Sequence, residues 1–155
     1  MGYEFLIRGL HTDGMEIPAP VLFETAESAG MLYALDMAAG ECATRTAKGF
    51  GLKESVFVNV LPFTIDTEDG MEAWLSNVLG ESGLAEDQLV FEIVESQQLS
   101  DLETVRSLVR RLKDRGIRIA LDDFGTGFNN LSGITEIQPD FIKHVRQPGS
   151  GLDFR

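Results

Sequence analysis

Two carboxylates stand side by side at the end of an apolar run, Ile117-Arg118-Ile119-Ala120-Leu121-Asp122-Asp123, and a glycine-rich stretch, Phe124-Gly125-Thr126-Gly127, follows at once. The run comes after Gly116 and is rich in aliphatic and β-branched residues, which marks a buried strand. Two like charges about 4 Å apart repel by roughly 4 kcal/mol at an effective dielectric near 20. A divalent cation removes that cost, and hard cations such as Mg²⁺ prefer carboxylate oxygens. Two such ions together activate water and hold a phosphate. Metal-assisted phosphate chemistry is therefore the first reading of the pair. A cap on the following loop is the plain structural alternative.

Three more oxygen-bearing side chains fall inside apolar runs. Alternation along a strand puts Asn59 with Phe57 and Leu61, Glu92 with Val90 and Val94, and Asp122 with Ala120. Glu4 is flanked by Tyr3, Phe5, Leu6 and Ile7. Each has an ordinary explanation by itself: Asn59 caps a loop at a strand end, and Glu92 lies half exposed on an edge strand. Four together are harder to explain, because an isolated buried carboxylate is costly and convergence on a metal relieves that cost. Arg8 is either a solvated strand-end charge or a phosphate clamp. His11 sits in a turn with Asp13-Gly14 and reads as surface, and His144 carries little signal. Cys42 is the one cysteine, so no internal disulfide forms, and it reads as a small apolar residue in a reducing compartment.

The elements that must position these groups alternate along the chain. Strands are expected over Tyr3–Ile7, Val56–Leu61, Leu89–Val94, Ile117–Leu121 and Asp140–Val145. Helices are expected over Pro20–Ala29, Leu32–Lys48 and Asp69–Glu81, the last with Met71, Trp74, Leu75, Val78 and Leu79 on one face. A further helix opens on the capping box Ser100-Asp101-Leu102-Glu103, carries the stripe Leu102, Val105, Leu108, Val109 and Leu112, and stops at Gly116. Repeated strand-helix-strand order implies parallel strands joined by right-handed crossovers. After Val145 the stretch Gln147-Pro148-Gly149-Ser150-Gly151 ends the pattern.

The whole chain sets bounds. Its 155 residues, 43% of them hydrophobic, suffice for one domain with a core. A formal net charge of -12 argues against a nucleic-acid duplex or an anionic membrane surface as partner. It leaves room for a small phosphate ligand, since bound cations invert the local field. No run approaches the roughly 20 apolar residues of a membrane span. Met1-Gly2-Tyr3-Glu4 lacks the basic and apolar segments of a signal peptide, so a cytoplasmic location is expected.

Five segments, in order, resemble those of the EAL domain family. Glu4-Phe5-Leu6, followed by Arg8, is similar to the Glu-Ala-Leu signature, with Phe5 in place of Ala. Phe57-Val58-Asn59-Val60 resembles the family's Asn-bearing strand. Phe91-Glu92-Ile93-Val94-Glu95-Ser96 resembles its Glu-Leu-Thr-Glu-Ser segment. Asp122-Asp123-Phe124-Gly125-Thr126-Gly127-Phe128 is close to Asp-Asp-Phe-Gly-Thr-Gly-Tyr, and Asp140-Phe141-Ile142-Lys143 resembles the lysine segment.

The resemblance implies an α/β fold, a TIM-like (β/α)₈ barrel of EAL type, and hydrolysis of cyclic di-GMP to pGpG. It implies Glu4, Asn59, Glu92, Asp122 and Asp123 as ligands of Mg²⁺ or Mn²⁺, two ions in a complete site. Lys143 would position or deprotonate the attacking water, Arg8 and Leu6 would contact substrate, and Glu95 would brace the stretch from Asp123 to about Leu131. A complete barrel has about 250 residues. The expectation is thus a partial EAL domain over residues 1–145, truncated to about five strand-helix units, with 146–155 an unrelated tail. Val145 stands where the family has an Asp that serves the second metal. These departures predict activity weakened or lost through truncation. They keep a second reading open, a non-catalytic module that binds cyclic di-GMP or a protein. An open barrel predicts a homo-dimer or larger assembly.

Overall fold

A computed structural model of the chain describes residues 2–80, 82–94, 102–122 and 138–143. The elements run β1 (Gly2–Glu4), β2 (Gly9–Leu10), β3 (Glu16–Ile17), α1 (Ala19–Ser28), α2 (Leu32–Gly49), β4 (Ser55–Asn59), α3 (Glu68–Gly80), β5 (Leu89–Val94), α4 (Leu102–Asp114), β6 (Arg118–Asp122) and β7 (Phe141–Ile142). Five strands form one sheet in the order β1-β4-β5-β6-β7, every neighbouring pair parallel. Parallel order puts all five C-terminal strand ends on one rim. Helical crossovers cover one face of the sheet, as parallel sheets require.

Side-chain alternation then sorts each strand between two surroundings. Val56 and Val58, then Leu89, Phe91 and Ile93, then Ile119 and Leu121 face the helices and form the main core with Trp74, Leu75 and Val78 of α3 and Leu108, Val109 and Leu112 of α4. Trp74 and Phe91 meet edge to face, with ring centroids 4.8 Å apart. The intervening residues Phe57, Val90 and Ala120 pack with Phe141 on the opposite, concave face. There Phe57 and Phe141 pack edge to face at 5.3 Å. The Arg118 guanidinium lies over the Phe141 ring and donates to Ser55 Oγ at 2.9 Å.

The expected elements are present with shifted ends. The first strand stops at Glu4 rather than Ile7: among the described residues it pairs with β4 alone, from Gly2 opposite Ser55 to Glu4 opposite Phe57, and the chain then leaves for a hairpin. That antiparallel hairpin, β2 with β3, was not foreseen as strands. Its turn lies where His11, Asp13 and Gly14 suggested. Asp13 Oδ1 accepts from Met15 N at 2.9 Å, and Gly14 has φ 87°, a conformation suited to glycine. The second strand ends at Asn59 rather than Leu61. The fifth starts at Phe141 rather than Asp140, because Asp140 turns its own carboxylate onto Ile119 N, 2.8 Å away. His144, Val145 and the tail lie outside the described residues, as do Ser100 and Asp101 of the capping box. Among the described residues, no helix is long and apolar enough to cross a membrane.

Candidate metal centre

The carboxylates and the lysine are brought together by strand register. Glu4 is the last residue of β1 and Asn59 the last of β4. Glu92 of β5 sits directly opposite Asn59 in the ladder. Asp122 ends β6, paired with Val94. Lys143 follows β7, and its backbone N–H donates to the Leu121 carbonyl at 2.8 Å, which seats it beside the end of β6. In parallel barrels this C-terminal rim is where active sites form.

Glu92 lies on a central strand and is 0% exposed, not half exposed on an edge. The Lys143 ammonium stands 2.6 Å from Glu92 Oε1 and 2.9 Å from Glu4 Oε2. Burial opposes the Lys143 charge, but hydrogen bonds and charge from Glu4 and Glu92 outweigh it and hold the pKa above its ordinary value. Glu4 is less enclosed than its apolar neighbours suggested. Its side chain is 33% exposed, since β1 is an outer strand and Tyr3 and Leu6 are themselves exposed.

The remaining candidates divide. Arg8 lies on the exposed connection after β1, where its guanidinium donates to the Ile7 carbonyl at 2.8 Å. Leu6, on the same connection, is exposed. Asp123 and Glu95 lie outside the described residues, as does the glycine-rich stretch after Asp123. Among the described residues, no three metal-ligating side chains of the His, Cys, Asp and Glu type meet. What meets is two carboxylates, with the Asn59 amide in register beside one of them. This donor set fits a hard divalent cation: its atoms are oxygens, and the buried Glu92 carboxylate already takes a cationic partner.

One buried carboxylate was not singled out from the sequence. Asp36, within the run Leu32-Tyr33-Ala34-Leu35-Asp36-Met37-Ala38-Ala39 of α2, is 1% exposed. Its Oδ1 accepts from Leu61 N at 3.2 Å, two residues past Asn59. Burial pushes its pKa up to about 6, against the easing effect of Thr64, the Leu61 amide and Trp74. An acidic residue in an apolar helical stretch was the available signal.

With the fold and rim in place, comparison with known proteins identifies the class. The family model described as the EAL domain matches residues 1–147. The chain belongs to the EAL domain family. It is 33% identical over 142 residues to an uncharacterized signaling protein of Caulobacter vibrioides. It is 27% identical over 143 residues to the cyclic di-GMP phosphodiesterase PdeA of Borreliella burgdorferi. These matches take up 92% and 90% of this chain but only 17% and 21% of those proteins. Klebsiella pneumoniae BlrP1, solved as a manganese and cy-diGMP complex, matches with a TM-score of 0.75 and 29% identity over 91% of this chain and 35% of that one. The fold is thus TIM-barrel-like, with five parallel strands of the barrel seen here.

Proposed function

We propose that this chain carries part of a metal-dependent phosphodiesterase site that hydrolyses cyclic di-GMP to pGpG. The observation that supports it most is Glu92, a fully buried carboxylate at the C-terminal rim with Glu4 and Lys143 gathered on it. Glu4, Asn59 and Glu92, with Asp122 and Asp123, would hold Mg²⁺ or Mn²⁺, two ions in a complete site. Such ions polarise a phosphate oxygen and lower the pKa of bound water.

The chain's own groups supply orientation and charge. Lys143 is kept in its ammonium form by Glu4 and Glu92. Its Nζ, set beside those two carboxylates, would position or deprotonate the attacking water. The water oxygen bonds to phosphorus as one ring P–O bond breaks. The departing oxygen takes up a proton, which leaves the linear dinucleotide. Arg8 and Leu6, both exposed, would contact the substrate, and Glu95 would brace the stretch from Asp123 to about Leu131. A signalling role inside the cytoplasm accords with this chemistry.

Val145 favours a second reading, a module that binds cyclic di-GMP without cleaving it. A ligand misplaced by about 1 Å can cost 100-fold in rate, and valine replaces no carboxylate. One experiment separates the two. Cyclic di-GMP binding and pGpG release are measured with and without millimolar Mn²⁺, on the chain and on Glu92→Gln. Slow, Mn²⁺-dependent release that Glu92→Gln abolishes supports the hydrolase. Binding without release supports the module. No binding and no thermal response to Mn²⁺ sinks both.

A further inference from the structure

The connection leaving β4 is held by side chains from two helices. Val60 N still reaches across to the Glu92 carbonyl, at 3.2 Å. The next amide, Leu61 N, turns instead to Asp36 Oδ1 of α2. Further along, the Arg111 guanidinium of α4 donates to the Ile65 carbonyl at 3.4 Å and to that of Asp66. The segment from Leu61 to Asp66 is therefore fixed at its start by a carboxylate and at its end by a guanidinium.

Stability alone does not account for Asp36. Aspartate is a poor helix former, and a buried charge is costly unless well compensated. Compensation here is thin. Thr64 and Trp74 lie beside the carboxylate and ease its charge, yet among the described residues Asp36 Oδ2, Thr64 Oγ1 and Trp74 Nε1 close no hydrogen bond of good geometry. The side-chain bond that Asp36 closes among the described residues, to Leu61 N, extends the order of β4 past its ladder. It is separated by two residues from Asn59, whose ladder partner is Glu92.

We propose that Asp36 is a positioning residue: through the Leu61 amide it fixes where β4 ends, and so holds the Asn59 amide at the rim beside Glu92. The inference rests on the reading of Asn59 as a metal donor. Groups that orient metal ligands typically change metal affinity by about 10–100-fold when removed.

The test uses Asp36→Leu, which removes the acceptor with the nearest apolar shape, and Asp36→Asn, which keeps an acceptor oxygen. Mn²⁺ affinity is measured by calorimetry well below each melting temperature. Asp36→Leu is expected to bind Mn²⁺ about tenfold or more weakly while its melting temperature holds or rises, because a buried charge is gone. Asp36→Asn should recover most of the affinity. In an Asn59→Ala background Asp36→Leu should add little further loss, since both changes act through one side chain. A merely structural role gives a different pattern: a lower melting temperature with unchanged affinity, or full additivity with Asn59→Ala, and either overturns the proposal. A wild-type chain that binds no Mn²⁺ instead overturns the metal reading of the site, and this inference with it.

Discussion

At the scale of single residues, charge placed out of water carries the argument. Lys143 lies against a carboxylate with no exposure and a second that is one-third exposed. Removing one partner of a buried ion pair costs about 3–5 kcal/mol, because the other charge is stranded. Lys143→Met should therefore lower the melting temperature measured without divalent ions. Millimolar Mn²⁺ should restore much of it, since a cation that binds only the folded state stabilises it. A variant as stable as wild type without metal would show that the lysine contributes nothing to the pairing. Asp36 works in the opposite direction. Its folded-state pKa is about 6 against an ordinary 3.8, so between those values the folded state holds more protons than the unfolded state. Its contribution to stability therefore declines as pH rises from about 4 to 6, by about 3 kcal/mol in all at roughly 1.4 kcal/mol per unit. Asp36→Asn should lose this slope and exceed wild type in stability at pH 7, as urea unfolding across pH 4.5 to about 7 would show. Parallel pH profiles for the two proteins would refute it.

At the scale of elements, helix faces and strand alternation were readable and their ends were not. Met71, Trp74, Leu75 and Val78 are the buried residues of α3, as their spacing indicated. Leu89–Val94 is a strand with the bounds expected. β1 came out shorter because it is an outer strand, with one ladder to hold it among the described residues. The contact of α2 with α3 could not be read from either helix alone. A Cβ at Gly40 would come 2.6 Å from Trp74 Cζ2 and 2.8 Å from Val78 Cγ2. Close by, Thr44 Oγ1 donates to the Val78 carbonyl at 2.7 Å. Gly40→Ala gains about 1 kcal/mol in helix propensity but overpacks the contact, which typically costs about 1–3 kcal/mol. A net loss of about 1 kcal/mol is expected by urea unfolding. An unchanged or raised midpoint would mean that the two helices separate freely.

At the scale of the molecule, sheet curvature assembles the site. β1 and β7 are the two outer strands in the order β1-β4-β5-β6-β7, yet Glu4 of one and Lys143 just beyond the other meet at 2.9 Å. Among the described residues, each outer strand has a neighbour on one side only, and Tyr3 and Ile142 on them are exposed. Unpaired parallel edges are templates for further strands. The 155-residue chain is therefore expected to self-associate. Light scattering over a range of concentrations checks this, and a monomer at the highest concentration would count against it.

The sequence alone was enough for the family, for the strands that carry Glu4, Asn59 and Glu92, and for the side of its strand that Glu92 shares with Val90. Those properties are local: they depend on motif, on a period of two in strands and on helical spacing, all within a few residues. Tertiary structure decided what depends on distance across the sheet. It decided that Glu92 is wholly buried while Glu4 is not, because one strand is central and the other outer. It decided that Lys143 bridges two carboxylates, because the sheet curls. It also brought Asp36 to Leu61, just past the end of β4 and 25 residues away along the chain, a contact set by helix-on-sheet packing, of which a single helix records only one side.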